Sequence, residues 1–130
     1  MKIVIDTSIL IAVLTNERHK KTIVEQTKNV NLVAPSSMHW EVGNAFSAMF
    51  KRDRITLDQA IHAISTYNQI PIKLIDVDLK IALNLSRRFN IYAYDAYFLV
   101  CAQKENAVLM SLDKKLLYVA NELGIKIREV

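Results

Sequence analysis

The sequence predicts an α/β fold in which helices cover a mainly parallel sheet of about five strands. Two observations support this class. Short runs rich in β-branched residues alternate along the chain with longer amphipathic segments. The composition is also typical of a compact globular protein, with 52% hydrophobic residues and only 2 Gly and 2 Pro in 130 residues. A chain of this length most simply forms one domain, which we expect to span residues 1–130.

The alternation gives five strand candidates and seven helix candidates. The strand candidates are Lys2 to Ile5, Leu32 to Ala34, Ile72 to Ile75, Ala107 to Met110 and Ile125 to Arg128. The helix candidates are Ser8 to Leu14, Lys20 to Thr27, Ser37 to Phe50, Leu57 to Asn68, Leu79 to Phe89, Ala96 to Glu105 and Lys114 to Leu123. Several ends carry chemical signals: Thr56 with Gln59 has a capping-box pattern, Asp78 can cap the next helix, and Gly124 suits a left-handed helix end.

Charge and cysteine content narrow the class of function. The net charge is +4, and basic residues occur in short clusters such as Lys51, Arg52 and Arg54. Such clusters are commonly solvated helix ends, but a basic surface around an acidic centre suits a phosphodiester substrate. The longest apolar runs are too short to span a bilayer and the first residues do not resemble a signal peptide, so we expect a cytoplasmic protein with no membrane contact. The one cysteine, Cys101, is expected to be a buried, inert thiol.

Four acidic side chains lie beside the most apolar segments: Asp6, Glu41, Asp95 and Asp113. Asp6 follows the first predicted strand, and Asp113 lies three residues beyond Met110, the end of the fourth. Ligand sites in open α/β sheets form outside the carboxyl ends of the strands, so these two acids should share one edge. Two carboxylates about 4 Å apart repel by roughly 4 kcal/mol at an effective dielectric near 20. A bound divalent cation is the simplest compensation.

Helix capping is the competing explanation for three of these acids. Asp6, Asp95 and Asp113 each precede a predicted helix, and Asp is a preferred N-cap residue. Glu41 does not fit that explanation because it lies a full turn inside its predicted helix, where a solvated polar face is the alternative. That face carries Ser37, Glu41, Asn44 and Ala48.

Taken together, the acids suit the hard cations Mg²⁺ or Mn²⁺, which need carboxylates converging from different elements. Neighbouring hydroxyl and amide groups can orient those carboxylates, namely Thr7, Ser8, Asn44 and Ser111. In a two-metal site the ions activate a water and stabilise the leaving oxygen of an in-line phosphoryl displacement. The histidines share no metal-ligand spacing, so we expect them to have ordinary surface or capping roles.

Four segments, in this order, resemble the PIN-domain ribonucleases, and most closely the VapC toxins of bacterial and archaeal toxin–antitoxin pairs. They are VIDTSILIAVL, WEVGNAF, YDAYFLVCA and MSLDKKL, and the resemblance as a whole extends from Ile3 to Lys115. The resemblance implies a PIN-like three-layer α/β/α sandwich. It maps the family's acidic site onto Asp6, Glu41, Asp95 and Asp113. Ser111 takes a hydroxyl position that is more often threonine in the family.

The resemblance also implies a function: a Mg²⁺- or Mn²⁺-dependent endoribonuclease that a partner antitoxin holds inactive and that usually forms a homodimer. The metal ligands would be chiefly Asp6, Asp95 and Asp113, with Glu41 binding directly or through water. An activated water would attack the scissile phosphate of the RNA substrate, so no covalent enzyme intermediate is expected.

Three rival functions stay open at this point. A phosphoacceptor receiver domain shares the length and the acidic pocket, but the paired acids after the first strand are missing here. A haloacid-dehalogenase-type phosphatase would use Asp6 as nucleophile, yet this chain has Ser8 where a second Asp is typical. A catalytically silent PIN-like RNA-binding module would share the fold, although all four acids argue against it.

Aromatic residues lie near the acids in sequence, namely Trp40, Tyr92, Tyr94 and Tyr97. We expect them to pack in the core or in a dimer contact, and the alternative is stacking on unpaired bases near Asp95. The run Ile9 to Leu14 is apolar around its whole predicted helix. It should therefore be buried on all sides, in part by a second subunit.

Overall fold

One edge of a five-stranded parallel sheet positions the functional residues. The computed structural model describes residues 1–130. The strands are β1 (Lys2–Ile5), β2 (Asn31–Pro35), β3 (Ile72–Ile75), β4 (Val108–Met110) and β5 (Ile127–Arg128). They lie in the order β3-β2-β1-β4-β5, and every neighbouring pair is parallel. All five carboxyl ends therefore point the same way, which confirms the predicted sheet.

Seven helices cover this sheet in a three-layer α/β/α arrangement, as predicted. They are α1 (Thr7–Leu14), α2 (Lys20–Gln26), α3 (Met38–Lys51), α4 (Leu57–Tyr67), α5 (Leu79–Phe89), α6 (Ala93–Glu105) and α7 (Lys114–Glu122). The first four pack against one another through α1. Helix α6 packs on β1, β2 and β4 and against α5, while α7 contacts β4 and β5.

The predicted helix signals are confirmed at three ends. Thr56 and Gln59 form a complete capping box at the start of α4. The Asp78 carboxylate accepts backbone hydrogen bonds from Lys80 and Ile81 at the start of α5. Gly124 follows the end of α7 with a φ of 74°, the left-handed conformation expected there.

The start of α6 differs from the prediction. The helix begins at Ala93, three residues before the predicted start at Ala96, so Asp95 lies inside its first turn and the competing explanation that it caps this helix is wrong. Tyr92 occupies the N-cap position without a side-chain capping bond. The prediction placed the start where the continuous apolar run begins, but Ala93 and Tyr94 extend the helix backwards without belonging to that run. As a result, no capping bond accounts for Asp95.

The most apolar segments of the sequence lie in the core of the chain. In α1 the residues Ile9, Leu10, Ile11 and Ala12 are buried by the packing of the chain itself, so their burial requires no second subunit. Cys101 is also buried, and burial raises the pKa of its thiol to about 12, which confirms the inert-thiol prediction. None of the helices combines the length and apolar character needed to span a membrane.

Two glycines should respond oppositely to the same substitution. Gly124→Ala should lower the free energy of unfolding by about 1–2 kcal/mol, since L-residues are strained at this left-handed φ. An added Cβ meets no atom within 4 Å, so backbone strain is the whole cost. Gly43→Ala in the interior of α3, where the Cβ also meets nothing within 4 Å, should stabilise by about 0.5–1 kcal/mol. Urea denaturation measures both values, and changes of the same sign would contradict this account.

Candidate active site

The Asp6 carboxylate forms the buried centre of the candidate site. It lies directly after β1, is only 6% exposed, and is one of two buried polar residues in the chain, with Ser111 at 1%. One of its oxygens, Oδ1, accepts hydrogen bonds from the Ser8 hydroxyl at 2.6 Å and from the Ile9 backbone N–H at 3.1 Å. Asp6 is thus the N-cap of α1, which agrees with the capping explanation. Its other oxygen, Oδ2, faces a different element.

That second element is the turn after β4. Ile5 and Met110 are register partners at the ends of β1 and β4, so the residues that follow them, Asp6 and Ser111, are neighbours. The Ser111 hydroxyl donates to Asp6 Oδ2, and Ser111 Oγ accepts from the backbone N–H of Asp113 at 2.9 Å. Ser8 Oγ accepts from the Leu112 N–H at 3.1 Å. Ser8 and Ser111 therefore hold the Asp6 carboxylate between α1 and the turn after β4.

Glu41 approaches from α3. Its carboxylate accepts a hydrogen bond from the Thr7 hydroxyl and another from the Ser37 hydroxyl, both at 3.3 Å. Thr7 follows Asp6 in the chain, so this bond joins the start of α1 to α3. The Ser37 contact was missed by the sequence interpretation, although its position four residues before Glu41 on one helix face is a signal for such a bond.

The remaining two acids come from the starts of α6 and α7. Asp113 caps α7, and its Oδ1 accepts from the backbone N–H groups of Lys115 at 3.0 Å and Leu116 at 3.2 Å. Asp95 is half-buried and accepts no hydrogen bond from any side chain or helix N–H. Burial and the charge of Asp113 raise the pKa of Asp95, and the positive charge of Lys115 partly offsets this rise. The sequence interpretation did not assign this lysine to the site.

Mutual repulsion shows that the structure brings all four predicted acids together. Burial raises the pKa of Asp6, and the charge of Asp113 raises it further. The pKa of Asp95 is raised by burial and then by the charge of Asp113. Burial raises the pKa of Glu41 to about 7, and the charges of Asp95 and Asp6 add to the rise. The charges of Asp6, Asp95 and Asp113 therefore act on neighbouring carboxylates. The hydrogen-bond donors to Asp6 and Glu41 partly offset the rise in the pKa of these two acids.

Not every predicted residue joins this group. Asn44 is exposed on α3 and makes no side-chain hydrogen bond to any of the acids. Three of the aromatics are not core residues, since Trp40 is 76%, Tyr92 83% and Tyr94 59% exposed. The expectation of core packing is therefore wrong for these three, because each sits on a solvent-facing side of its helix start.

The donor set fits a hard divalent cation, although not as a closed cage. No three carboxylates, histidines or cysteines are placed to hold one ion directly. Asp6 in particular has both oxygens engaged by Ser8, Ile9 and Ser111. Mg²⁺ usually keeps several waters and binds proteins through one or two carboxylates, so a wider cluster of oxygen donors is compatible with it.

The parallel sheet, the covering helices and the acids at the strand ends together define a PIN-type α/β protein. The sequence matches the PIN domain family over residues 3–122, and the chain belongs to this family. No curated protein sequence matches the chain.

Several solved structures share the fold. PAE2754 from Pyrobaculum aerophilum is 19% identical with a TM-score of 0.73, covering 98% of this chain and 92% of the other. VapBC2 from Rickettsia felis, bound to a DNA fragment from its promoter, is 16% identical with a TM-score of 0.72, covering 99% and 98%. VapC20 from Mycobacterium tuberculosis, described as a toxin that cleaves the sarcin–ricin loop, is 13% identical with a TM-score of 0.63, covering 89% and 93%. At these identities the likeness concerns the fold.

Glu41 should make stability depend on pH when metal is chelated. Its pKa rises from 4.5 in the unfolded chain to about 7 in the fold, so the folded state binds this proton more tightly. The ionised carboxylate therefore destabilises the fold fully above about pH 7, and this penalty is relieved as the pH falls toward 4.5. In EDTA, Glu41→Gln should raise the free energy of unfolding at pH 8 and change it little at pH 5.

Urea denaturation at both pH values measures this effect. Glu129→Gln is the matched control, because it removes the same charge from an exposed position near the end of the chain. A gain for Glu41→Gln that is equal at the two pH values, or absent at pH 8, would show that the Glu41 carboxylate is not destabilised by its surroundings.

Proposed function

We propose that this protein is a Mg²⁺- or Mn²⁺-dependent endoribonuclease that hydrolyses RNA by a two-metal, water-activated mechanism. The observation that carries the proposal is the convergence of Asp6, Glu41, Asp95 and Asp113 at the carboxyl edge of a PIN-domain sheet. Bound divalent cations would supply an activated water and stabilise the leaving oxygen of the phosphodiester. We propose that one PIN domain over residues 1–130 carries this activity.

The chain's own residues hold the geometry for that chemistry. Ser8, Ser111 and the Ile9 N–H fix both oxygens of Asp6, so this carboxylate keeps one orientation. Thr7 and Ser37 do the same for Glu41. Asp95 lacks such partners and is free to bind a cation directly or through water. A rigid Asp6 beside a less constrained Asp95 suits a site that closes around cation and phosphate together.

Lys115 supplies a positive charge at the rim of the acids, where an RNA phosphate would approach. Phosphate contacts from such residues provide affinity while the carboxylate site carries out hydrolysis. The overall charge of +4 favours the same class of substrate.

The alternatives account for less of the structure. A receiver domain of the flavodoxin-like type has the strand order 2-1-3-4-5, whereas this sheet has the order β3-β2-β1-β4-β5. A catalytically silent RNA-binding module has no need for four mutually repelling acids. Natural proteins place such unfavourable groups chiefly at functional sites.

We further propose that the protein is the toxin of a toxin–antitoxin pair, with a cognate antitoxin as partner and a homodimer as its assembly. The likeness to VapC20, described as a toxin that cleaves the sarcin–ricin loop, supports the first part. Exposed apolar pairs one turn apart support a protein contact: Leu57 and Ile61 on α4 are 64% and 58% exposed, and Leu79 and Leu83 on α5 are 56% and 52% exposed.

Asp95→Asn should abolish RNA cleavage, with a loss greater than about 100-fold, while the protein stays folded. Removing one charge from the acid cluster relieves repulsion, so the variant should be at least as stable as wild type in EDTA. A cleavage assay with Mn²⁺ and a thermal melt in EDTA measure the two effects. Asp58→Asn is the matched control because Asp58 also lies in the first turn of a helix, α4. Undiminished cleavage by Asp95→Asn would remove this residue from the site.

Millimolar Mn²⁺ or Mg²⁺ should raise the melting temperature of the wild-type protein. A ligand that binds only the folded state stabilises it by RT ln(1 + [L]/Kd), about 2.7 kcal/mol at a hundredfold excess over Kd. The shift should be smaller for Asp6→Asn and unchanged for Asp58→Asn. Equal shifts in all three proteins would mean that the cations bind elsewhere.

A further inference from the structure

A small cavity lies beside the acids, at the carboxyl ends of β2 and β3. It has a volume of about 270 Å³ and is lined by Pro35 and Ile75, the last residues of the two strands, and by Tyr97 of α6. Ser37 also lines it, and the Ser37 hydroxyl donates to Glu41. The cavity and the acid cluster therefore share a wall.

Asp76 is the charged group of this cavity, and the sheet register holds it in place. Pro35 and Ile75 are register partners, so Ser36 and Asp76 are neighbours beyond the strand ends. The Ser36 hydroxyl donates to Asp76 Oδ1 at 2.7 Å, and Lys104 Nζ donates to the Asp76 backbone carbonyl at 2.8 Å. The carboxylate itself makes no ion pair, since the ion pairs of the chain lie at other residues. It is exposed and retains capacity to accept hydrogen bonds.

The size of the cavity and its lining side chains limit the kind of ligand that can bind there. Pockets for drug-sized ligands begin at about 300 Å³, so a space of about 270 Å³ suits a smaller group. Tyr97 offers an aromatic ring, and the ring of Tyr94 packs edge-on against it at 5.9 Å between centroids. Unpaired RNA bases are bound in this way, by stacking on aromatic side chains and by hydrogen bonds to their Watson–Crick edges.

We infer that this cavity binds one unpaired guanine base of the RNA that the neighbouring acids cleave, with Asp76 reading its Watson–Crick edge and Tyr97 stacking on it. The inference rests on the proposed ribonuclease function. Guanine presents two adjacent N–H donors on that edge, N1–H and the N2 amino group, and these match the two oxygens of a carboxylate. Uracil has one such donor, and adenine pairs its donor with an acceptor that a carboxylate repels.

The spacing fits a nucleotide next to the cleaved bond. β3 lies two strands from β1 in the sheet order, and neighbouring strands are about 4.8 Å apart, so Asp76 lies about 10 Å from Asp6 along the edge. A base in the cavity can therefore belong to a nucleotide that directly flanks the phosphate held by the acids.

Cleavage-site mapping on an RNA pool with a randomised single-stranded loop tests this inference with the full-length protein and Mn²⁺. Wild type should prefer guanine at one position flanking the cut. Asp76→Asn keeps an oxygen for the Ser36 hydroxyl but replaces the second acceptor with a donor. It should reduce that preference by about 10- to 100-fold, as expected for loss of a bidentate base contact. Cleavage of sequences with another base there should fall less than cleavage of sequences with guanine.

Two controls separate this result from general damage. Asp58→Asn removes the same charge outside the cavity and should keep the wild-type preference. Replacing the preferred guanine by inosine, which lacks the N2 amino group, should weaken cleavage by wild type but not by Asp76→Asn.

Each other outcome overturns the inference. If cleavage occurs without a guanine preference, or with one that Asp76→Asn retains, the base-binding role is wrong while the ribonuclease function stands. If Asp76→Asn lowers cleavage of all sequences equally and changes the molar mass in light scattering, a second copy of the chain covers the cavity instead. If wild type cleaves no RNA under any metal condition, the proposed function itself fails.

Discussion

The burial of the Asp6 carboxylate at the end of β1 is the constraint on which the rest of the site depends. A buried charge is stable only when hydrogen bonds replace its lost hydration. Asp6 obtains them from three donors in two elements: Ser8 and Ile9 on α1, and Ser111 after β4. The bond from Ser111 is possible only because β1 and β4 are paired in parallel with Ile5 beside Met110. The core strands thus fix the central acid before any ligand binds.

The acids around Asp6 lower the stability of the fold while they provide the donors of the candidate site. Glu41, Asp95 and Asp113 add negative charge to a site that burial already makes unfavourable for charge. Lys115 is a cation that partly offsets this effect at Asp95. A fold with a net stability of about 5–15 kcal/mol tolerates such repulsion when the binding of a ligand of opposite charge offsets its free-energy cost. In the proposed function, the net charge of +4 would attract RNA and the acid cluster would bind the cations.

Sequence periodicity predicted most of the fold because its signals are local. The β-branched strands, the capping box at Thr56 and the left-handed Gly124 each depend on adjacent residues, and each was predicted. The four acids were also identifiable, since carboxylates beside buried strands are rare without a role. The start of α6 was not, because Ala93 and Tyr94 carry no strong start signal.

Contacts between segments that are far apart in the chain could not be predicted from the sequence. The pairing of Ser36 with Asp76 depends on the register of β2 with β3, which periodicity alone does not specify. The exposure of Trp40, Tyr92 and Tyr94 depends on which helix faces remain uncovered after packing. Asn44 shows the reverse case, since it shares a sequence face with Glu41 but is exposed and makes no side-chain hydrogen bond to any of the acids.

The central claim is that four carboxylates from separate elements form one cation site. Anomalous diffraction from crystals soaked in Mn²⁺ tests this claim most directly. Anomalous density is expected among Asp6, Glu41, Asp95 and Asp113, with water completing the coordination of each ion. It also predicts that this density is lost in Asp6→Asn crystals and kept in Asp58→Asn crystals. Manganese bound only elsewhere on the protein, with the four carboxylates empty at saturating concentration, would contradict the account.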